Sequence, residues 1–145
     1  MNCYVSTENR IVDKYYYVAE DFITNMKVVI ITKLTPVIAV GDKIRTIDGH
    51  GKMIYQIQLD SKVTCFDMQN EPASSGFPLL IFGLKNGGIG ALELTNDEAV
   101  VLWESDCSNE GKAAVSHLKV AQLQDGVQNI IVTREDGLIE IFTYT

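Results

Sequence analysis

The feature that most constrains the fold is the stretch 77–94, FPLLIFGLKNGGIGALEL, in which Asn86-Gly87-Gly88 joins two apolar runs. Asn-Gly tolerates positive φ at adjacent positions, so two extended runs joined in this way predict a tight β-hairpin. The first run, 79–82, does not alternate with polar residues, as a strand with one face in water would. It is therefore predicted to be buried on both faces.

Looser copies of this hairpin lie on both sides of it. The upstream copy has its turn at 41–43 and the downstream copy at 133–137. The copies recur at intervals of about 40 to 50 residues, which is the length of a β-propeller blade. The sequence therefore predicts an all-β fold, a partial β-propeller of about three blades of four-stranded antiparallel sheet. The ring is not expected to close within this chain, because propellers have about four to eight blades.

The whole chain, 1–145, is predicted to be a single partial propeller domain. Residues 1–20 are expected to form a terminal hairpin, with strands at 3–6 and 13–19, because tyrosines favour strands. The segments 26–60 and 62–104 are predicted to be blades of four strands each. The segment 114–145 is expected to form an incomplete blade that lacks its fourth strand.

Three local patterns set the expected strand boundaries. Pro36 is expected to separate a strand at 26–34 from one at 37–40, because proline lacks an N–H. The alternation in 53–59 places Ile54 and Gln56 on one face and the remaining apolar residues on the other, which predicts an outer strand with one wet face. For the region after 110 two alternatives are open: a short helix at 110–118, favoured by its alanines, or a strand at about 115–123, which we prefer. Trp103 is expected to pack across a blade interface.

Composition and charge argue against several classes of function. The formal net charge is −7 with no basic cluster, which disfavours nucleic acid and anionic membrane surfaces. No apolar run approaches the roughly 20 residues of a membrane span. The three cysteines are widely spaced, and neither a secretory segment nor an Asn-x-Ser/Thr acceptor is present, so a reducing cytosolic location is expected.

No catalytic, cofactor-binding or metal-ligating residues are predicted. The glycine-rich segment 48–52 lacks the first glycine and the Ser/Thr of a phosphate-binding loop, so it is predicted to be a turn. His50 and His117 lie far from each other and from any cysteine pair, and the acidic turns do not have the spacing of a calcium loop. A nucleophile elbow is absent. The chain is therefore not expected to be an enzyme.

A series of motifs, taken in order, closely resembles one known family, the amino-terminal β-propeller of the seventh Bardet–Biedl syndrome proteins, which are BBSome subunits. The resemblance covers nearly the whole chain, from about Tyr4 onward. The motifs that carry it are Tyr15-Tyr16, TPVIA at 35–39, DKIRTI at 42–47, LIFG at 80–83, LWE at 102–104, DGV at 125–127 and IVTREDGLIEIF at 131–142.

The resemblance implies a non-enzymatic scaffold without cofactors, in a complex that carries membrane proteins into and out of cilia. The implied partners are other BBSome subunits, especially the second and ninth Bardet–Biedl proteins, with ciliary membrane-protein cargo contacted indirectly. The implied location is the cytoplasm, the cilium and the ciliary basal body, with peripheral association at the ciliary membrane through the complex. The family is also implied to have a coiled coil and further domains after the propeller.

Four regions are predicted to make contacts with other proteins. Two are polar loops, 69–76 and 105–112, and two are the exposed first and last strands, 13–19 and 138–144. Uncapped repeat ends expose apolar faces and strand edges, so the isolated chain is expected to self-associate or to need a partner. The alternatives are a ligand-binding or enzymatic propeller with a channel-lining site, and a calcium-dependent adhesion propeller.

Overall fold

The computed structural model describes residues 13–69, 75–105, 112–124 and 127–144. These residues form three antiparallel sheets with strand orders β1-β2-β3-β4, β5-β6-β7-β8 and β9-β10-β11. We call these sheets blade 1, blade 2 and blade 3. The strands are β1 Ile23–Ile30, β2 Leu34–Val40, β3 Lys43–Ile47, β4 Met53–Gln58, β5 Val63–Met68, β6 Leu79–Leu84, β7 Ile89–Leu94, β8 Ala99–Glu104, β9 Val115–Gln124, β10 Val127–Arg134 and β11 Ile139–Tyr144.

The arrangement of the sheets confirms the predicted all-β partial propeller. The first strands of the three blades lie side by side, since β5 contacts both β1 and β9. Polar side chains join them: Thr24 donates its hydroxyl to the Val63 carbonyl at 3.0 Å, and Asn25 donates to the Phe66 carbonyl at 2.7 Å. The strands β4 and β8 lie at the other end of their sheets. The blades therefore converge on their first strands, as around a propeller axis.

The core of the described residues consists of two apolar layers between blades and a smaller apolar cluster on blade 1. One layer joins blades 1 and 2 and contains Leu80 and Phe82; the other joins blades 2 and 3 and contains Ile81. All six residues of β6 are buried, as predicted from the unbroken apolar run. Trp103 packs in the second layer, so its predicted position at a blade interface is also confirmed.

The turn of the central hairpin differs from the prediction in its backbone angles. Only Gly87 has positive φ, at 92°, and no described residue other than glycine does. Gly87 N–H donates to the Leu84 carbonyl at 3.0 Å, and Leu84 N–H donates to the Gly88 carbonyl at 2.9 Å. This pattern is a type I turn followed by a glycine bulge, in which one positive φ is enough. The same two bonds and the same glycine recur at 48–52 and 134–138.

The predicted break at Pro36 is wrong. Strand β2 runs through Pro36, and the turn from β1 lies at 31–33 instead. Pro36 is opposite Val28 of β1, whereas the ladder with β3 begins one residue later, at Val37. The missing N–H therefore removes no bond from the β2–β3 ladder, and the strand can continue through the proline.

The predicted terminal hairpin is not formed by its described part. Residues 13–19 belong to no strand, and the other expected arm, 3–6, lies outside the described residues. Tyr17 and Ala19 instead pack against an apolar cluster on blade 1, formed by Ile38, Val40 and Ile47. Strand propensity is expressed only where a partner strand is available, and side-chain packing decides the position of this segment.

The remaining strand predictions are confirmed. Ile54 and Gln56 on β4 are exposed, whereas Tyr55 and Ile57 are half-buried, so this outer strand has one wet face. Strand β9 starts at Val115, which excludes the helical alternative over the described residues 112–118. Blade 3 has three strands among the described residues, as expected.

Candidate functional site

Charged side chains occupy the same position in the first strand of each blade. Lys27, Asp67 and Lys119 are opposite Val37, Ile81 and Ile131, and these three apolar residues hold equivalent places in β2, β6 and β10. Asp67 is buried, and its Oδ1 and Oδ2 lie 3.6 Å from Lys27 Nζ and Lys119 Nζ, respectively. Its Oδ2 also accepts the Val120 N–H at 2.9 Å. One carboxylate thus connects the first strands of all three blades.

A groove of about 690 Å³ lies beside this charged group. Its lining includes Lys27 and Asp67 together with apolar residues of β1, namely Val28, Val29 and Ile30. The Asp67 carboxylate is already engaged by two ammonium groups and by the backbone N–H groups of Met68 and Val120. The carboxylate therefore connects the strands through ion pairs and charge-assisted hydrogen bonds.

The described residues offer little else for catalysis or metal binding. Across 13–69, 75–105, 112–124 and 127–144, no three His, Cys, Asp or Glu side chains are grouped so as to hold a metal ion. His50 packs edge-on against Tyr15 at 4.9 Å between ring centroids, and His117 lies near the Thr133 hydroxyl. Burial raises the pKa of the Cys65 thiol, which reduces its reactivity. The same stretches contain no helix long and apolar enough to cross a bilayer.

A buried arginine holds the segment 13–21 on the outer face of blade 1. Arg45 donates to both carboxylate oxygens of Glu20, at 2.8 and 2.5 Å, and to the Tyr17 hydroxyl at 2.8 Å. Its Nε donates to Gln56 at 2.8 Å, which completes the set of partners. The hydrogen bond from Arg45 lowers the pKa of Glu20 to about 2. This paired geometry fixes where the segment crosses the blade.

The outer face of blade 3 is apolar and exposed. Ile139 and Ile141 of β11 are 63% and 59% exposed. The residues at the equivalent positions in blade 1 are Ile44 and Thr46, and in blade 2 Ile89 and Ala91, as their cross-strand partners show. Those four are at most 5% exposed, because the next blade covers them. Blade 3 therefore carries an interblade face that no described residue covers.

The structure describes the four predicted contact regions to different extents. Most of the loop 69–76 and most of the loop 105–112 lie outside the described residues. Segment 13–19 lies against blade 1 through Tyr17 and Ala19, with Tyr16 and Val18 exposed. Strand β11 is the outer strand of blade 3 among the described residues and carries the exposed isoleucines.

A family model for the BBS7 beta-propeller matches residues 2–145 of this chain. The chain belongs to the BBS7 beta-propeller family. It is 26% identical over 137 residues to the mouse (Mus musculus) BBSome complex member BBS7, a match that covers 91% of this chain and 19% of that protein. It is 28% identical over 109 residues to Caenorhabditis elegans BBSome complex member bbs-7, covering 74% of this chain and 15% of that protein. The chain thus spans less than a fifth of the length of these BBS7 relatives.

Solved structures support the propeller architecture of this BBS7-family chain. Crystal structures of BBS1N in complex with ARL6DN, soaked with mercury or with lead, superpose with TM-scores of 0.66 and 0.64. The sequence identities are 11% and 17%, so the likeness concerns the fold alone. The matches cover 85% and 86% of this chain but 37% and 38% of the BBS1N chains.

Sequence reasoning missed the Lys27–Asp67–Lys119 group. Each residue stands alone among apolar neighbours in its own strand, so no local motif links them. Aligning the three blades by their hairpins does not reveal the group either, because the loops before the hairpins differ in length and only the strand registers make the three positions equivalent.

Proposed function

We propose that this chain is a propeller segment of a BBSome subunit and acts as a non-enzymatic protein-interaction scaffold. Membership of the BBS7 beta-propeller family over residues 2–145 is the observation that carries the proposal. The rigid framework supports it, since the blades are joined by apolar layers and by Asp67. A framework of this kind can present loops and faces in fixed positions to several partners.

The proposed partners are other BBSome subunits, especially the second and ninth Bardet–Biedl proteins. Ciliary membrane-protein cargo is proposed to be contacted through the assembled complex. The corresponding location is the cytoplasm and the cilium, including the ciliary basal body and the ciliary membrane as a peripheral site. The proposal is supported by the names of the mouse and nematode relatives, which describe them as BBSome complex members.

The polar loops 69–76 and 105–112 are the proposed contact sites for those partners. Reversing a charge in each loop, with Glu71→Lys and Asp106→Lys combined, is expected to reduce recovery of other BBSome subunits in a pull-down from ciliated cells. Asp97→Lys, at an exposed turn between β7 and β8, is the matched charge-reversal control. Recovery of every subunit at the control level by the double variant would refute the assignment of these loops.

The groove beside Asp67 favours a second function, the binding of a small ligand near the propeller axis. The scaffold is preferred, because the Asp67 carboxylate already has four partners within the chain. A ligand in the groove would have to use Lys27 or the apolar side chains of β1. A library of small anions can be screened for compounds that raise the melting temperature. A rise that is lost in Lys27→Ala would support the second function.

A further inference from the structure

The outer strand of blade 2 leaves one of its edges unpaired. Among the described residues β8 pairs with β7 alone, so no strand lies beside the other edge of β8. Blade 2 has blade 1 on one side and blade 3 on the other, each across an apolar layer. A further blade of a ring would therefore lie against blade 1 or blade 3, and it would leave the edge of β8 open.

This edge lacks the residues that usually protect an outer strand. Lysine, proline and inward-pointing charges commonly prevent an open edge from pairing with another chain, whereas residues 99–103 read AVVLW. The side chains of Val100, Val101 and Leu102 are 37%, 40% and 47% exposed. The outer strand of blade 1 differs, since its exposed positions include the polar Gln56. The edge of β8 is thus apolar as well as unpaired.

The charges around β8 are acidic. Glu98 directly precedes the strand and Glu104 ends it, and both are exposed. Glu93 lies on the adjacent strand β7. The sequence has no lysine or arginine in 86–111. Opposite charges on neighbouring strands attract each other and like charges repel. Because a second copy of the chain would bring an equally acidic edge, the charges favour a partner strand with basic residues.

We propose that the open edge of β8 binds an extended segment of a partner protein, with apolar residues between flanking lysines or arginines. The segment adds a strand to blade 2, its main chain pairing with β8 and its basic ends lying near Glu98 and Glu104. The β7–β8 ladder has a bulge at Leu102, so regular pairing is confined mainly to 98–101 and the affinity is modest. The inference rests on blade 2 and does not depend on BBSome membership.

A heptapeptide of sequence KVTVTVK with blocked termini is a probe for this edge. Added to the isotope-labelled 145-residue chain, it is expected to shift amide resonances mainly at 98–101 and in the facing part of β7. The acidic peptide EVTVTVE should bind at least about tenfold more weakly, because its ends meet like charges. KVTVTVK with its inner peptide nitrogens methylated should weaken by a similar factor, since it cannot donate to the edge. Equal binding of the three peptides, or no binding of KVTVTVK, would overturn the proposal.

Lysine substitutions on two outer strands locate the binding site. Val100→Lys with Leu102→Lys should weaken the binding of KVTVTVK at least about tenfold, because apolar contact is lost and like charges meet. Met53→Lys with Ile54→Lys, at similarly exposed positions of β4, is the matched control and should bind the peptide as the wild type does. All four positions are exposed, so both variants are expected to fold. Equal binding by the two variants would contradict the assignment to β8.

Reversing the charges at the two ends of β8 tests the predicted preference for basic partners. Glu98→Lys with Glu104→Lys keeps the apolar edge, so this variant is expected to bind EVTVTVE more tightly than KVTVTVK, the opposite of the wild type. An unchanged preference would show that these glutamates do not select the partner. Sedimentation velocity tests the other occupant, a second copy of the chain. A wild-type dimer that the β8 lysine variant abolishes would assign the edge to self-association and overturn the proposal.

Discussion

Gly51 is the residue whose identity the fold constrains most clearly. Its φ is 80°, and a Cβ at this position would lie 2.5 Å from the Tyr16 carbonyl oxygen. Both effects act against any other residue, since positive φ is strained for side chains with a Cβ and the opposing atom belongs to the backbone. Gly51 thereby allows the segment 13–19 to lie close against the β3–β4 turn.

Gly51→Ala is expected to lower the free energy of unfolding by about 1–3 kcal/mol, through strain and displacement of Tyr16. Gly49→Ala, two residues earlier in the same turn, is the matched control, because its φ is not positive and no atom lies within 4 Å of the added Cβ. Urea denaturation followed by circular dichroism measures both. Equal losses of stability in the two variants would contradict the proposed role of the Tyr16 contact.

The Glu20–Arg45 pair predicts an acid-dependent loss of stability. The hydrogen bond from Arg45 lowers the pKa of Glu20 from 4.5 to about 2 in the folded chain. A carboxylate with a lowered folded-state pKa adds stability above its unfolded pKa and loses it as the pH falls toward the folded value. The melting temperature of the wild type should therefore fall between about pH 5 and pH 2 more steeply than that of Glu20→Gln. Parallel curves for the two proteins would contradict the prediction.

At the scale of strands, apolar periodicity predicted the features that depend on local sequence. It did not predict those that depend on neighbouring strands. The unbroken run in β6 and the alternation in β4 identify strands because burial follows directly from the spacing of apolar residues. Pro36 could not be placed from sequence, since its effect depends on where the β2–β3 ladder begins. The tyrosines at 15–17 favour a strand, but the described residues provide no strand beside them.

Asp67 is expected to determine how firmly β9 is held against β5. Asp67→Ala leaves the Val120 N–H without its acceptor, which should cost about 1–3 kcal/mol of unfolding free energy and speed exchange of that amide. Asp67→Asn keeps an oxygen acceptor and removes only the charge, so its effect should be smaller. Amide exchange by nuclear magnetic resonance, combined with denaturation, measures both. Unchanged exchange at Val120 in Asp67→Ala would show that β9 does not depend on this bond.

At the scale of the whole molecule, β6 separates two interfaces that are expected to respond independently. Leu80 and Ile81 are adjacent and fully buried, but they face blade 1 and blade 3, respectively. Leu80→Ala and Ile81→Ala should each cost about 2–5 kcal/mol. Because repeats interact mainly with their neighbours, hydrogen exchange should increase chiefly in blade 1 for the first variant and chiefly in blade 3 for the second. The same exchange pattern in both would contradict this division.

The repeated order of blades was predictable from sequence, whereas the shared column of axial charges became apparent only after the strands were aligned. Lys27, Asp67 and Lys119 are separated by about one blade length in the chain, and only the register of three ladders brings them to equivalent positions. The outer face of blade 3 was predicted in part, because the last strand was expected to be exposed. That this face is an uncovered interblade face became clear only from the structure, in which the equivalent residues of blades 1 and 2 are buried.

The shared turn of blades 2 and 3 has a consequence for chemical ageing. Asn-Gly sequences are prone to deamidation, and asparagine is among the residues that limit the thermal lifetime of proteins. In blade 2, Asn86 Oδ1 accepts the Gly88 N–H, and in blade 3 Asp136 Oδ1 accepts the Leu138 N–H in the same turn. Hydrolysis of the Asn86 amide to an ordinary aspartate would therefore give the Asp-Gly turn that blade 3 already contains. Such a lesion should add one negative charge to the surface and leave the hairpin folded.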